Sequence, residues 1–104
     1  MARSLRWATP AWQDLEETAD FIARDSPSYA STFVEQIRRA ARSLPAQPLR
    51  GRVVPELGNP SIREILLGSY RLIYEVQSSG VTVLGLIHGA RDLAALWERE
   101  ERPK

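Results

Sequence analysis

The 104-residue chain contains no cysteine and a single histidine, His88. The absence of cysteine excludes disulfides, thiolate zinc sites, iron–sulfur clusters and thiol nucleophiles, and one histidine cannot build a multi-histidine metal site. We therefore expect no metal and no cofactor. The longest apolar runs, such as residues 83–87, are too short to cross a bilayer, and the N-terminus has no apolar core of signal-peptide length. The expected location is the cytoplasm, without membrane contact.

Charge of both signs is present, but it is distributed unevenly. The formal net charge is +1, and Lys104 is the only lysine, so arginine provides the other basic side chains. Residues 9–26 carry five acids and one arginine, whereas residues 38–52 carry five arginines and no acid. The basic segment has no interleaved aromatic residues and the net charge is near zero, so an acidic protein segment is a better predicted partner than nucleic acid.

Two amphipathic helices are predicted in the first half of the chain. A Thr-Pro pair at 9–10 and a Ser-Pro pair at 26–27 each place a capping residue before a proline, which is tolerated in the first turn of a helix. Apolar residues then recur every three or four positions in both segments. The second helix is expected to stop near Leu44, because Pro45 and Pro48 follow. The short link between the segments predicts an antiparallel helical hairpin.

The second half of the chain has the two-residue period of β-strands. Strands are predicted at 62–67, 70–76 and 81–87, joined by tight turns as an antiparallel meander. Residues 4–8 form a predicted first strand, 51–57 contain at most a short edge strand, and Asp92 can cap a terminal helix over 93–101. The predicted fold class is α+β, in a single domain over 1–104: an N-terminal strand, a two-helix hairpin packed on one face of a mostly antiparallel sheet, a C-terminal meander and a short terminal helix.

A two-residue turn at Gly68 and Ser69 fixes which strand residues share a face. The more apolar face is expected to pack on the hairpin, with Trp7, Trp12, Tyr70 and Tyr74 in the core. The opposite face is half polar and keeps exposed aliphatic residues, so we expect a partner to cover part of it. Its members are Ile62, Glu64, Leu66, Arg71, Ile73 and Glu75.

Six short motifs occur in a recognisable order. They are Trp-Gln-Asp-Leu at 12–15, Asp-Ser-Pro at 25–27, Gly-Arg-Val-Val-Pro-Glu at 51–56, Arg-Glu at 63–64, Gly-Ser-Tyr-Arg-Leu-Ile-Tyr at 68–74 and His-Gly-Ala-Arg-Asp-Leu at 88–93. Together they resemble the RelE/ParE superfamily of small toxins from bacterial type II toxin–antitoxin systems, over roughly residues 5–96. The motifs at 51–56 and at 88–93 are more similar to the ParE branch than to the RelE branch.

The resemblance implies a toxin that is neutralised by a small ParD-like or other antitoxin in a hetero-oligomer. It leaves two targets open. ParE-like members poison DNA gyrase without hydrolytic activity of their own, whereas RelE-like members cleave mRNA in the ribosomal A site. A third hypothesis is a non-toxic remnant that only binds its antitoxin.

Five positions of the RelE-type RNases separate the two targets. Two arginines of those enzymes match Arg71 and Arg91, but their two lysines fall on Ile62 and Glu64, and their tyrosine falls on Trp97. These replacements remove two positive charges and add a negative one where an RNase needs cations around the scissile phosphate. The sequence therefore favours a gyrase inhibitor that acts by binding.

The candidate residues form two sets. Target binding is assigned to Arg71, His88, Arg91 and a partly exposed Trp97; in the RNase alternative, Arg71 and Arg91 hold the phosphate and His88 is the acid or base. Structural roles stay open for three of them: Arg71 can pair with Glu64 or Glu75, Arg91 with Asp92, and His88 can be a hydrogen-bonded strand-end residue. Antitoxin binding is assigned to Arg38, Arg39, Arg42, Arg52 and Ile73.

Overall fold

The computed structural model describes residues 3–104 as a five-stranded sheet with three helices. The strand order is β1-β5-β4-β3-β2, and only the β1–β5 pair is parallel. The predicted α+β class and element order are confirmed. In chain order the elements are β1 (Ser4–Trp7), α1 (Thr9–Ala23), α2 (Pro27–Ser43), β2 (Arg52–Val53), β3 (Ile62–Leu67), β4 (Tyr70–Gln77), β5 (Gly80–His88) and α3 (Leu93–Arg99).

The predicted register between β3 and β4 is confirmed. Leu67 pairs with Tyr70 across a two-residue turn, and Gly68 supplies the positive φ of 59° that the first central position of a type II′ turn requires. The register between β4 and β5 shifts at Ile73 and Tyr74, as at a β-bulge. This meander holds the polar side chains of β3 and β4 in fixed positions.

Helix caps follow the predicted pattern at two of three places. Ser26 accepts a hydrogen bond from the Tyr29 N–H at the start of α2, and Asp92 accepts one from the Ala95 N–H at the start of α3. The prediction that Thr9 caps α1 is wrong. Ala8 is the cap residue, without a side-chain hydrogen bond, so Thr9 already lies inside the first turn.

The hairpin of α1 and α2 covers one face of the sheet, as predicted. Tyr74 lies at the edge of this core, where burial raises the pKa of its hydroxyl. That hydroxyl accepts a 2.8 Å hydrogen bond from the Gly51 N–H and donates one of 2.8 Å to the Pro48 carbonyl, which ties the proline-rich loop to the sheet. Buried residues of this core include Leu15, Phe33, Ile37, Leu44, Ile65, Leu72, Tyr74, Val81, Val83 and Leu86.

The prediction of exposed aliphatic residues on the opposite face of the sheet holds for Leu66 but is wrong for Ile62 and Ile73, which the chain itself covers. Ile62 and Ile73 are buried under α3 and Val54, in a second core. Trp97 lies at the centre of that core and is buried, so the expectation of a partly exposed tryptophan is also wrong. Its indole N–H donates a 2.8 Å hydrogen bond to the Pro103 carbonyl.

Trp12 is the reverse case, since it was expected in the core and is 42% exposed. The buried positions of α1 are Ala11 and Leu15, so the helix turns Trp12 towards its flank. There the indole stacks on Trp7 with ring centroids 4.9 Å apart. The apolar spacing identified the helix and its buried Leu15 correctly, but it assigned the first buried position to Trp12 instead of Ala11.

The C-terminal tail is tied to the edge of the sheet by Arg102, which is buried. Its guanidinium donates to both Asp14 carboxylate oxygens at 2.7 and 3.1 Å and to the Leu84 carbonyl at 3.2 Å. Asp14 also accepts a 3.0 Å bond from the Leu86 N–H. Gly85 leaves room for this arrangement, because a Cβ there would lie 2.6 Å from the Arg102 guanidinium. The pair therefore satisfies backbone groups of β5 beyond the end of β1.

Within residues 3–104, no helix has the length and apolar character needed to cross a bilayer.

Candidate functional site

Arg71 lies in a closed network of two arginines and two glutamates. Its Nε donates to Glu64 at 2.6 Å, and its two terminal nitrogens donate to the two oxygens of Glu56 at 2.8 and 2.6 Å. The second oxygen of Glu64 accepts from the Nε of Arg52 at 2.6 Å. The β2–β3 register opposes Arg52 to Glu64 directly. The structural pairing of Arg71 with Glu64 is present, while its second partner is Glu56 instead of Glu75.

The network is electrically neutral and partly closed to solvent. The Arg71 side chain is only 9% exposed, and Glu64 is buried. Hydrogen bonding to Arg71 lowers the pKa of Glu56, and the bonds from Glu56 and Glu64 raise the pKa of Arg71, so Glu56 and Arg71 both stay charged at neutral pH. Each charge has an opposite partner within hydrogen-bond distance, and little attraction remains for a further anion.

The positions that carry lysine in RelE-type RNases offer no cation. Ile62 is buried under the second core and Glu64 is neutralised by two arginines. Trp97, at the tyrosine position, is buried as well. At these three positions the described residues therefore offer no free cation to stabilise the charge of a phosphoryl transition state.

A groove of about 830 Å³ runs between α2 and the β3–β4 turn. Phe21, Tyr29 and Leu66 lie along it and are 54–62% exposed. Arg39 and Arg50 also line the groove, and no acidic side chain does. An apolar groove with basic residues on its rim matches the apolar and acidic faces of an amphipathic helix.

The sequence pattern predicted Leu66 as an exposed aliphatic residue, but it did not identify Phe21 and Tyr29 as residues of this groove. Phe21 lies next to Ile22 but outside the apolar stripe of α1, and Tyr29 precedes the stripe of α2. An aromatic residue off the buried stripe was therefore the available signal. For Leu66 the signal was an apolar residue next to the tight turn, where the covering helix α3 does not reach.

His88 is the last residue of β5 and lines the groove, and Arg91 lies in the turn that follows. The His88 ring packs edge-on against Tyr70 with centroids 5.2 Å apart, and its Nδ1 accepts a 3.0 Å hydrogen bond from the Ala90 N–H. Neutral His88 therefore carries its proton on Nε2. Asp92 caps α3, and among the residues that the structure describes Arg91 has no ion-pair partner. The exposed guanidinium of Arg91 can meet a partner.

The basic side chains of α2 make weak contacts and remain exposed. Glu35 lies 3.7 Å from Arg39 and 3.2 Å from Arg42. The third arginine of this helix, Arg38, stands over the Trp12 ring at 6.0 Å. Such exposed pairs contribute little to stability and exchange easily for a partner's carboxylates.

Of the predicted antitoxin-binding residues, Arg38, Arg39 and Arg42 share one helix and are accessible. Arg52 lies apart from them in the network with Glu64. Ile73 is buried, so it has no surface to offer. Among the residues described, no group of three His, Asp or Glu side chains is placed to hold a metal ion.

Comparison with protein-family models matches residues 5–93 to the ParE toxin of the type II toxin–antitoxin system parDE. Among curated proteins, none matches the sequence significantly. Several solved structures share the fold. One is a chain of the chromosomal ParDE toxin–antitoxin system of P. aeruginosa, with a TM-score of 0.69, 21% identity and coverage of 84% of this chain and 96% of that one.

The second similar structure is a mutant of the E. coli toxin RelE in the free state, with a TM-score of 0.68, 20% identity and coverage of 97% and 98%. The third comes from the toxin–antitoxin complex RelBE2 of Mycobacterium tuberculosis, with a TM-score of 0.55, 24% identity and coverage of 85% and 99%. At these identities the structural likeness establishes only the fold. The family match over residues 5–93 assigns the chain to the ParE branch of the superfamily.

Proposed function

Because the chain belongs to the ParE toxin family of type II toxin–antitoxin systems, we propose that it inhibits DNA gyrase in the cytoplasm by binding and is neutralised by a cognate antitoxin. The pairing of Arg71 with two glutamates is the observation that favours gyrase over ribosome-bound mRNA as the target. An RNase of this fold would need that guanidinium for a phosphate, and here it is bound to Glu56 and Glu64. Arg91, which has no ion-pair partner among the described residues, suits contact with a protein.

The groove lined by Phe21, Tyr29 and Leu66 is the proposed antitoxin site. Its exposed apolar residues and its basic rim at Arg39 and Arg50 fit an amphipathic helix that carries acidic residues and folds on binding. Structures of the ParDE and RelBE2 systems are among the similar structures, which supports an antitoxin as the occupant. The accessible arginines of α2 extend the same basic surface.

The proposed target-binding residues are His88 and Arg91. His88 ends β5 and Arg91 lies in the loop between β5 and α3, and loops held by a rigid sheet commonly carry binding residues. Trp97 does not join them, because it is buried in the second core. Arg71 supports the site indirectly by joining the Glu56 loop to β3 and β4.

Induced expression in a bacterial host tests the proposal. We expect filamentous cells and an SOS response while protein synthesis continues at first, and rescue when the cognate antitoxin is co-expressed. Arg91→Ala should weaken toxicity, whereas Arg99→Ala, which removes another exposed arginine, serves as the matched control and should not. An immediate stop of translation, with cuts in ribosome-bound codons, would establish the RNase alternative. Harmless expression would leave only a remnant that binds antitoxin.

A further inference from the structure

A cleft of about 380 Å³ opens onto Arg71 on the side of the sheet away from the helical hairpin. Arg52 and Arg71 line it together with Glu56, Ser69 and Gly89. The two glutamates of the network are held differently. Glu64 is buried on β3, whereas Glu56 comes from the loop between β2 and β3 and its side chain is 34% exposed. Glu56 is therefore the one anion in the cleft that can leave without moving a strand.

The Glu56 carboxylate occupies the place where an external anion would bind. Its two oxygens accept from both terminal nitrogens of Arg71, at 2.6 and 2.8 Å. This is the bidentate geometry with which arginine also binds two oxygens of a phosphate group. An incoming phosphate must displace Glu56 to reach those donors, because the Nε of Arg71 already donates to Glu64.

We propose that Glu56 is a built-in occupant of an anion site and that it excludes nucleic-acid phosphates from Arg71. With Glu56 in place, two arginines face two glutamates and the cleft has no net charge. Without it, one positive charge remains in excess and two guanidinium donors are free. Glu56 thus determines specificity: it keeps a chain with this fold from holding RNA at Arg71. This inference deepens the proposed function, and its biological role rests on that function.

The test uses the purified full-length chain with inorganic phosphate and a short single-stranded RNA as probes. Glu56→Gln removes the charge, and Glu16→Gln removes the same charge from an exposed position of α1 as the matched control. Binding is measured by titration while the guanidinium Nε–H resonance of Arg71 is followed by NMR. We expect Glu56→Gln to bind both probes about ten- to a hundredfold more tightly than the wild type, the fold-change of a charge-assisted hydrogen bond, with a shift of the Arg71 resonance.

Equal phosphate affinity of Glu56→Gln and Glu16→Gln, or tighter binding without a shift at Arg71, would overturn the proposal. If Glu56→Gln does not fold, Glu56→Asp serves instead. Its shorter side chain keeps the charge but cannot reach both terminal nitrogens, so a smaller gain in affinity is expected and no gain refutes the inference. These measurements do not involve gyrase. Failure of the proposed role of Glu56 can therefore be distinguished from failure of the proposed gyrase inhibition.

Discussion

Replacing Arg102 by alanine should destabilise the protein strongly, although Arg102 is the third residue from the C-terminus. Removing one partner of a buried ion pair costs about 3–5 kcal/mol. We expect Arg102→Ala to cost about 3 kcal/mol of unfolding free energy, near the lower limit. In the variant, the Asp14 carboxylate still accepts the hydrogen bond from the Leu86 N–H and is still partly exposed to water. The change also removes the guanidinium that stacks over Trp97 at 5.0 Å. For a domain of this size the predicted fall in Tm is about 12–24 °C.

Thermal unfolding followed by circular dichroism measures this effect, with Arg99→Ala as the control. Arg99 lies exposed on α3 without an ion pair among the described residues, so its replacement should change the free energy of unfolding by less than about 0.5 kcal/mol. In a double-mutant cycle, Arg102→Ala and Asp14→Asn should couple by about 1–3 kcal/mol. If Arg102→Ala melts like Arg99→Ala, the tail is not held by this pair and the reasoning is refuted.

Three further predictions concern the loop, the groove and pH. Tyr74→Phe should cost about 1–3 kcal/mol, seen in denaturant unfolding, because the buried Gly51 N–H loses its acceptor; an unchanged midpoint would contradict this. Replacing Phe21 or Leu66 by serine should weaken antitoxin binding in calorimetry with little change in Tm, and unaltered affinity would remove the groove from the proposal. The pKa of Glu56 is lowered in the folded state, so its ion pair stabilises the fold above the ordinary glutamate pKa of about 4.3 and this stability is lost as the pH falls through the folded value. Glu56→Gln should therefore lose less stability than the wild type on acidification, and equal losses would contradict the assignment.

The sequence predicted the elements well because each depends on local chemistry. The turn at Gly68 and Ser69 sets the β3–β4 register within a few residues, and Ser26 and Asp92 cap helices through contacts three positions away. These interactions leave a signature in neighbouring residues. Periods of two and of three to four then identified strands and helices independently of the tertiary structure.

The predictions that failed depend on contacts distant in sequence. Strand alternation shows that Ile73 and Leu66 share a face, but not that α3 returns to bury Ile73 and leaves Leu66 exposed. The burial of Trp97 depends on the same return. Glu56 reaches Arg71 because the proline-rich loop between β2 and β3 folds back across the sheet. The course of this loop cannot be predicted from the neighbouring residues.

A gyrase assay with the purified protein tests directly whether it inhibits DNA gyrase. Gyrase, relaxed plasmid and ATP are incubated with the wild-type chain or with Arg91→Ala, and supercoiled and cleaved DNA are quantified. We expect the wild type to lower supercoiling and to increase cleaved DNA, Arg91→Ala to do so less, and the antitoxin to abolish the effect. Unaltered gyrase activity at saturating toxin, together with cleavage of ribosome-bound mRNA by the same preparation, would contradict this expectation.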